Sequence, residues 1–138
     1  ITFPAGRELS VEYPLAPLPK ETADANSGSI VARFTYGETS FLLTGDLAQE
    51  ETVLPDEPVA TVLKVAHHGS RYSTSEAFLE RIRPKDVIIS VGENNYGHPA
   101  PEVLERLERF GTAVYRTDQR GDIQYRCTPV LNGCQQGP

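Results

Sequence analysis

Three short apolar runs limit what this chain can become. Phe41-Leu42-Leu43-Thr44, Thr61-Val62-Leu63-Lys64-Val65-Ala66 and Asp86-Val87-Ile88-Ile89-Ser90 are too short for ordinary helices. They are rich in branched apolar side chains, so each reads as a strand, the second and third as buried ones. Segments of helical character separate them. Leu47 to Leu54 fits a short helix closed by Pro55. Ser73 or Thr74 is a candidate N-cap for a second helix carrying Ala77, Phe78, Leu79 and Ile82, which stops before Pro84. Pro101 opens a third, with Val103, Leu104, Leu107 and Phe110 as its apolar stripe and Gly111 at its end. Strands alternating with helices predict an α/β sheet covered by helices.

The flanking segments read as β-structure. Glu8 to Tyr13 is a strand, and Pro14, Pro17 and Pro19 then break the chain as far as Ala25. Ser29 to Tyr36 and Ser40 to Thr44 form a hairpin around Tyr36-Gly37-Glu38-Thr39, with Ile30, Ala32 and Phe34 alternating against Val31, Arg33 and Thr35. Ala113 to Arg116 and Asp122 to Arg126 are expected as the last strands, the second at the sheet edge. Residues 1–127 then make one domain portion, and residues 128–138 a flexible, frayed tail.

The length of 138 residues suits one domain. No run approaches 18 apolar residues, so no segment is expected to span a bilayer. The start, Ile1-Thr2-Phe3-Pro4, lacks the pattern of a signal peptide, and no Met occurs anywhere, which reads as a piece of a longer chain. The net charge of −6 argues against a broad basic face for nucleic acid. It does not exclude a phosphodiester substrate, because bound metal would supply local positive charge. Cys127 and Cys134 are open to two readings: a disulfide, which fits an extracytoplasmic location, or two free thiols.

Three features that could carry chemistry each follow a predicted strand, where α/β folds place their functional groups. Asp46 follows Gly45; it projects as a ligand or caps the helix from Leu47, and the two roles are compatible. His67 and His68 are adjacent, and the chain has only three histidines. Neighbouring side chains diverge, so one ring as ligand with the other behind it is the better geometry. The plainer alternative is a histidine bonded to a strand-end carbonyl. His98, in Asn94-Asn95-Tyr96-Gly97-His98-Pro99, has three readings: phosphate contact, acid, or loop support. One Asp with a few His suits zinc or manganese, yet is too few for a full two-metal site.

These residues occur in an order that resembles one family. The order runs Asn26-Ser27-Gly28-Ser29-Ile30-Val31, Phe41 to Asp46, Leu63-Lys64-Val65-Ala66-His67-His68-Gly69-Ser70-Arg71, Ser73-Thr74-Ser75, Arg83-Pro84, Ile88-Ile89-Ser90, Tyr96-Gly97-His98-Pro99 and Arg116-Thr117-Asp118. It is similar to the metallo-β-lactamase-like domain of the ComEC DNA-uptake proteins over about residues 8–126. The resemblance implies part of an αββα sandwich, a mixed sheet flanked by helices. It implies a divalent metal, Mn or Zn, held by Asp46 and by His68 or His67, with Asn26 as a weaker contact. His98 and Ser70 would touch the phosphate. The family's His-x-His-x-Asp-His motif belongs upstream, and no histidine precedes His67. The chain alone is therefore expected to bind metal weakly and to be inactive.

The intact domain would degrade the non-transported DNA strand. The alternatives are a DNA-positioning module at the channel mouth and a hydrolase of another phosphoester. Expected partners are single- or double-stranded DNA, the membrane channel domain of the same protein and a second copy of the chain. The expected location is the extracytoplasmic face of the cell membrane.

Overall fold

The computed structural model describes residues 1–3, 6–15, 24–54 and 59–137. Seven strands form one sheet in chain order: β1 (Thr2–Phe3), β2 (Arg7–Tyr13), β3 (Val31–Tyr36), β4 (Thr39–Leu43), β5 (Val62–Lys64), β6 (Asp86–Ile89) and β7 (Ala113–Arg116). Strands β1 to β4 pair antiparallel, and β4 to β7 pair parallel, so the sheet is mixed. The parallel steps need crossovers, which α1 (Glu50–Val53), α2 (Glu76–Ile82) and α3 (Pro101–Arg109) supply. The strand order advances one place at each crossover, so the usual right-handed connection stacks all three helices on one face.

That face carries the core. Val31, Leu42, Leu63, Val65, Val87 and Ile89 point from the sheet region toward Phe78, Leu79 and Ile82 of α2 and Val103 and Leu107 of α3, all fully buried. Each large side chain contributes roughly 1.5–3 kcal/mol by leaving water. The helix boundaries follow their caps. Ser75 Oγ accepts the Phe78 N–H at 3.2 Å, so Ser75, rather than the expected Ser73 or Thr74, is the N-cap of α2. Arg83, in the left-handed region, closes that helix. Pro101 sits in the first turn of α3 as expected, and Gly111 follows it with φ +67°.

The second face is covered only in part. One row across it reads Val11, Ala32, Leu43, Lys64, Ile88 and Tyr115. Val11 is 51% exposed and Leu43 42%. The neighbouring row of Phe34, Phe41, Val62 and Asp86 lies beside a two-stranded ribbon, β8 (Tyr125–Thr128) and β9 (Gly133–Gln136). Tyr125 meets Phe41 edge-on at 5.1 Å, and its hydroxyl donates to Asp86 Oδ2 at 2.8 Å. Burial, then Asp86, pushes the Tyr125 phenol well above its usual range.

Four expectations change. The strand predicted at Asp122 to Arg126 starts at Tyr125, and it belongs to the ribbon rather than to the sheet edge. Residues 128–138 were expected to fray. Instead β9 pairs with β8, and Cys127 and Cys134 form a disulfide across them. The helix expected over Leu47 to Leu54 is four residues long and begins at Glu50. In β3 the alternation is the other way round: Val31 and Arg33 are buried, whereas Ile30 is 65% exposed. Most of the proline-broken stretch expected from Pro14 to Ala25 (residues 16–23), and Pro55, expected to close the helix after Asp46, lie outside the described residues.

Candidate active site

The site is built where β4, β5 and β6 end. After β4, the buried Thr44 hydroxyl donates to Lys64 O at 2.6 Å, tying the chain to β5 as it turns. Gly45 then takes φ +56°, and a Cβ there would lie 2.9 Å from Ser29 Cβ. That close approach lets Ser29 Oγ accept the Asp46 N–H at 3.1 Å. Lys64 Nζ donates to Gly45 O at 3.1 Å. Burial pushes the Lys64 ammonium down, and nearby Asp46 partly restores it. Asp46 caps no helix: the N-cap of α1 is Gln49, without a side-chain cap bond. Its carboxylate stays free to face the next loop.

That loop follows β5 and is backbone-strained. His67 has φ +48°, His68 +55° and Gly69 +82°. Two successive non-glycine residues in the left-handed region cost about 1–3 kcal/mol each. Bonds on both sides offset this: His67 N–H to Gly45 O at 3.1 Å, Ser70 N–H to His67 O at 2.9 Å, and Ala100 N–H to Gly69 O at 2.8 Å. Gly69 is required twice over, by its φ and because a Cβ would stand 2.7 Å from Pro99 Cβ.

The His68 ring is oriented by a main-chain group. Its Nδ1 lies 2.6 Å from Ser90 O, just past β6. A carbonyl only accepts, so the bond assigns the proton to Nδ1 and leaves the Nε2 lone pair free in the neutral ring. Nε2 lies 3.8 Å from Asp46 Oδ1, and both side chains are close to half exposed. Metal-binding histidines are typically held this way. The plainer sequence reading, a histidine bonded to a strand-end carbonyl, is thus satisfied by the same ring that faces Asp46. His67 diverges, with its ring centroid 6.3 Å from that of His68 and 5.5 Å from that of His98.

His98 sits on a loop organised by one side chain. Asn94 Oδ1 accepts the N–H groups of Tyr96 and His98, both at 3.1 Å, and Asn94 Nδ2 donates to Gly92 O and His98 O at 2.9 and 2.8 Å. His98, Tyr96, Asn94, Val91, Gly92 and His68 line a cleft of about 190 Å³. Desolvation, then His67, His68 and Arg71, holds the His98 imidazole below its usual pKa. Its Nδ1 is buried without a hydrogen-bond partner among the described residues.

Ser70 and Asn26 are held by local turns. Ser70 is 3% exposed and its Oγ accepts the Tyr72 N–H at 3.4 Å, so it serves the turn rather than facing the cleft. Asn26 lies in a 3-10 turn, Ala25–Gly28, and its N–H bonds Asp24 Oδ1. From this region the Ser29 side chain bonds the Asp46 turn, with Ile30 O close beside Gly45.

The sequence reading passed over Glu50. Its side chain is buried, and both carboxylate oxygens accept the Thr74 N–H at 2.9 Å. Arg106 of α3 donates to Thr74 O at 2.6 Å from the other side. The loop after Asp46 and the loop after the histidine pair are thereby joined. Burial, the largest influence, pushes the Glu50 carboxyl up to about 7. The only advance sign was an acid pair, Glu50-Glu51, in a short helix leading to a core leucine.

Two donors, Asp46 and His68, converge in a way that fits a divalent metal. Among the described residues, no group of three or more His, Cys, Asp or Glu does so. The donor set fits such an ion and does not complete its shell.

Comparison with known proteins identifies the family. Residues 6–93 match the metallo-beta-lactamase superfamily model. The chain is 46% identical over 118 residues to ComE operon protein 3 of Bacillus subtilis (strain 168), covering 81% of this chain and 15% of that protein. It is 38% identical over 113 residues to Recombination protein 2 of Haemophilus influenzae, covering 80% and 14%. It is 34% identical over 117 residues to Competence protein ComA of Neisseria gonorrhoeae, covering 80% and 17%. The chain therefore spans about one-sixth of the length of these relatives. No helix among the described residues is long and apolar enough to cross a membrane. With its mixed sheet, its helix-covered face and its aspartate and histidine at adjoining strand ends, the chain belongs to the metallo-beta-lactamase superfamily.

Proposed function

We propose that this chain is the part of a competence protein's hydrolase domain that supplies Asp46 and His68 to a metal-dependent phosphodiesterase site. The observation that carries the reading is the His68 ring, tied at Nδ1 to Ser90 O and facing Asp46 with Nε2. Asp46 and His68 would hold the ion, with His67 behind them. A bound Zn or Mn would supply a water of lowered pKa and positive charge beside the phosphate. The protein's own groups act around that centre. Lys64 fixes the Asp46 turn through Gly45 O, and His98, which lines the cleft with His68, would meet a phosphate oxygen or a leaving group. The names Recombination protein 2 and Competence protein ComA support DNA as the substrate, and the Cys127–Cys134 disulfide supports a site outside the membrane, beside the proposed channel domain. The test is DNA cleavage by the full-length protein with Mn or Zn, against Asp46→Ala. Loss of cleavage in the variant is expected; equal cleavage removes the role of Asp46.

A further inference from the structure

The cleft beside His68 has one wall with no catalytic duty. Tyr96 is 85% exposed, yet its loop is stiffened by the four hydrogen bonds of Asn94. Its ring lies nearly parallel to that of His98, at 20° and 6.1 Å between centroids. Val91, Gly92, Glu93 and His68 complete the lining of the cleft. Tyr72, on the loop after the histidine pair, is 73% exposed as well. An exposed aromatic ring on a rigid loop, beside a phosphoester site, presents a flat apolar platform at little entropic cost. The net charge of −6 leaves backbone phosphates a poor source of affinity here, so contact with the bases must supply more of it.

We propose that Tyr96 is a stacking platform for an unpaired nucleobase next to the scissile phosphate, which makes single-stranded polynucleotide the substrate class. The inference rests on the phosphodiesterase reading and adds a subsite to it. A base inside a duplex keeps its faces covered by its neighbours and cannot use this ring, whereas an unpaired base can.

The test uses the full-length protein with Mn and three substrates: a thymidine oligomer, the same oligomer in a duplex, and a base-free tetrahydrofuran oligomer of equal charge. Tyr96→Ala should raise KM for the thymidine strand about tenfold, the scale of one base–aromatic stack. It should leave the base-free strand unchanged, which also shows that the variant is folded. Tyr96→Phe should behave as wild type, and the single strand should be preferred to the duplex. Equal loss on both single strands, no loss on either, or a preference for duplex overturns the proposal. If the wild type cleaves none of the three, the phosphodiesterase reading fails by itself. Fluorescence anisotropy then decides the subsite: weaker binding of the thymidine strand by Tyr96→Ala alone upholds it, and equal binding by all three proteins overturns it.

Discussion

Asp46 and His68 owe their positions to neighbours rather than to their own stretch of chain. Ser29 and Lys64 fix the Asp46 turn, and Ser90 O fixes the His68 ring. Substituting alanine for either residue should lower Mn or Zn affinity of the full-length protein at least about tenfold by calorimetric titration, the scale seen even for supporting groups. His67→Ala should cost less, because that ring diverges toward His98. Glu50 makes a separate prediction about pH. Its folded pKa, about 7, lies above the ordinary 4.5, so the folded state holds the proton more tightly. Its contribution to stability is full below pH 4.5 and is lost as pH rises through about 7. Glu50→Gln keeps an acceptor for Thr74 and removes the titration. Thermal melts should then lose a pH-dependent difference on the order of 3 kcal/mol between pH 4.5 and 8. An unchanged pH slope in the variant would show that Glu50 does not titrate in this range.

Among the elements, the parallel strands were the most legible. Val62, Leu63, Val87 and Ile89 are buried and β-branched or leucine, and little but an interior strand accepts such a run. The phase of β3 misled because Ile30, Ala32 and Phe34 are the more apolar set, yet the helix-covered face takes Val31 and Arg33. Arg33 is accepted there because its guanidinium donates to Val59 O. The helix expected after Asp46 shrank to one turn because Gln49 adopts the left-handed region before Glu50. The His67–Gly69 turn was not legible at all, since nothing in local propensity announces two left-handed histidines. Gly69→Ala should destabilise the fold by at least about 1 kcal/mol in denaturant unfolding, from strain and the contact with Pro99. The ribbon makes another test. Replacing Cys127 and Cys134 with serine should cost roughly 2–3 kcal/mol by loop entropy, read as faster amide exchange in β8 and β9. Tyr125 and Asp86 should keep the ribbon near the sheet, so metal affinity should not change.

For the molecule as a whole, the motif order pointed to the candidate site, whereas the coverage of the sheet was visible only in three dimensions. Alternation along a strand reports that two faces differ, but not which of them a neighbouring segment covers. Here the ribbon shields Phe41 and leaves Val11 and Leu43 near half exposed. A sheet face of that kind favours association. The isolated chain should therefore self-associate, with an apparent mass in light scattering that rises with concentration. Leu43→Lys should suppress this, and a constant monomer mass for the wild type would contradict it.

The carbonyl of Ser90 carries a different consequence. It is part of the backbone, so no side-chain substitution can delete it, and any residue placed at 90 presents the same oxygen to His68. The protonation pattern of the imidazole is thus inherited from the path of the chain past β6. A substitution at 90 that leaves the chain's path unchanged keeps the imidazole's tautomer, whereas a change that bends the strand end alters it.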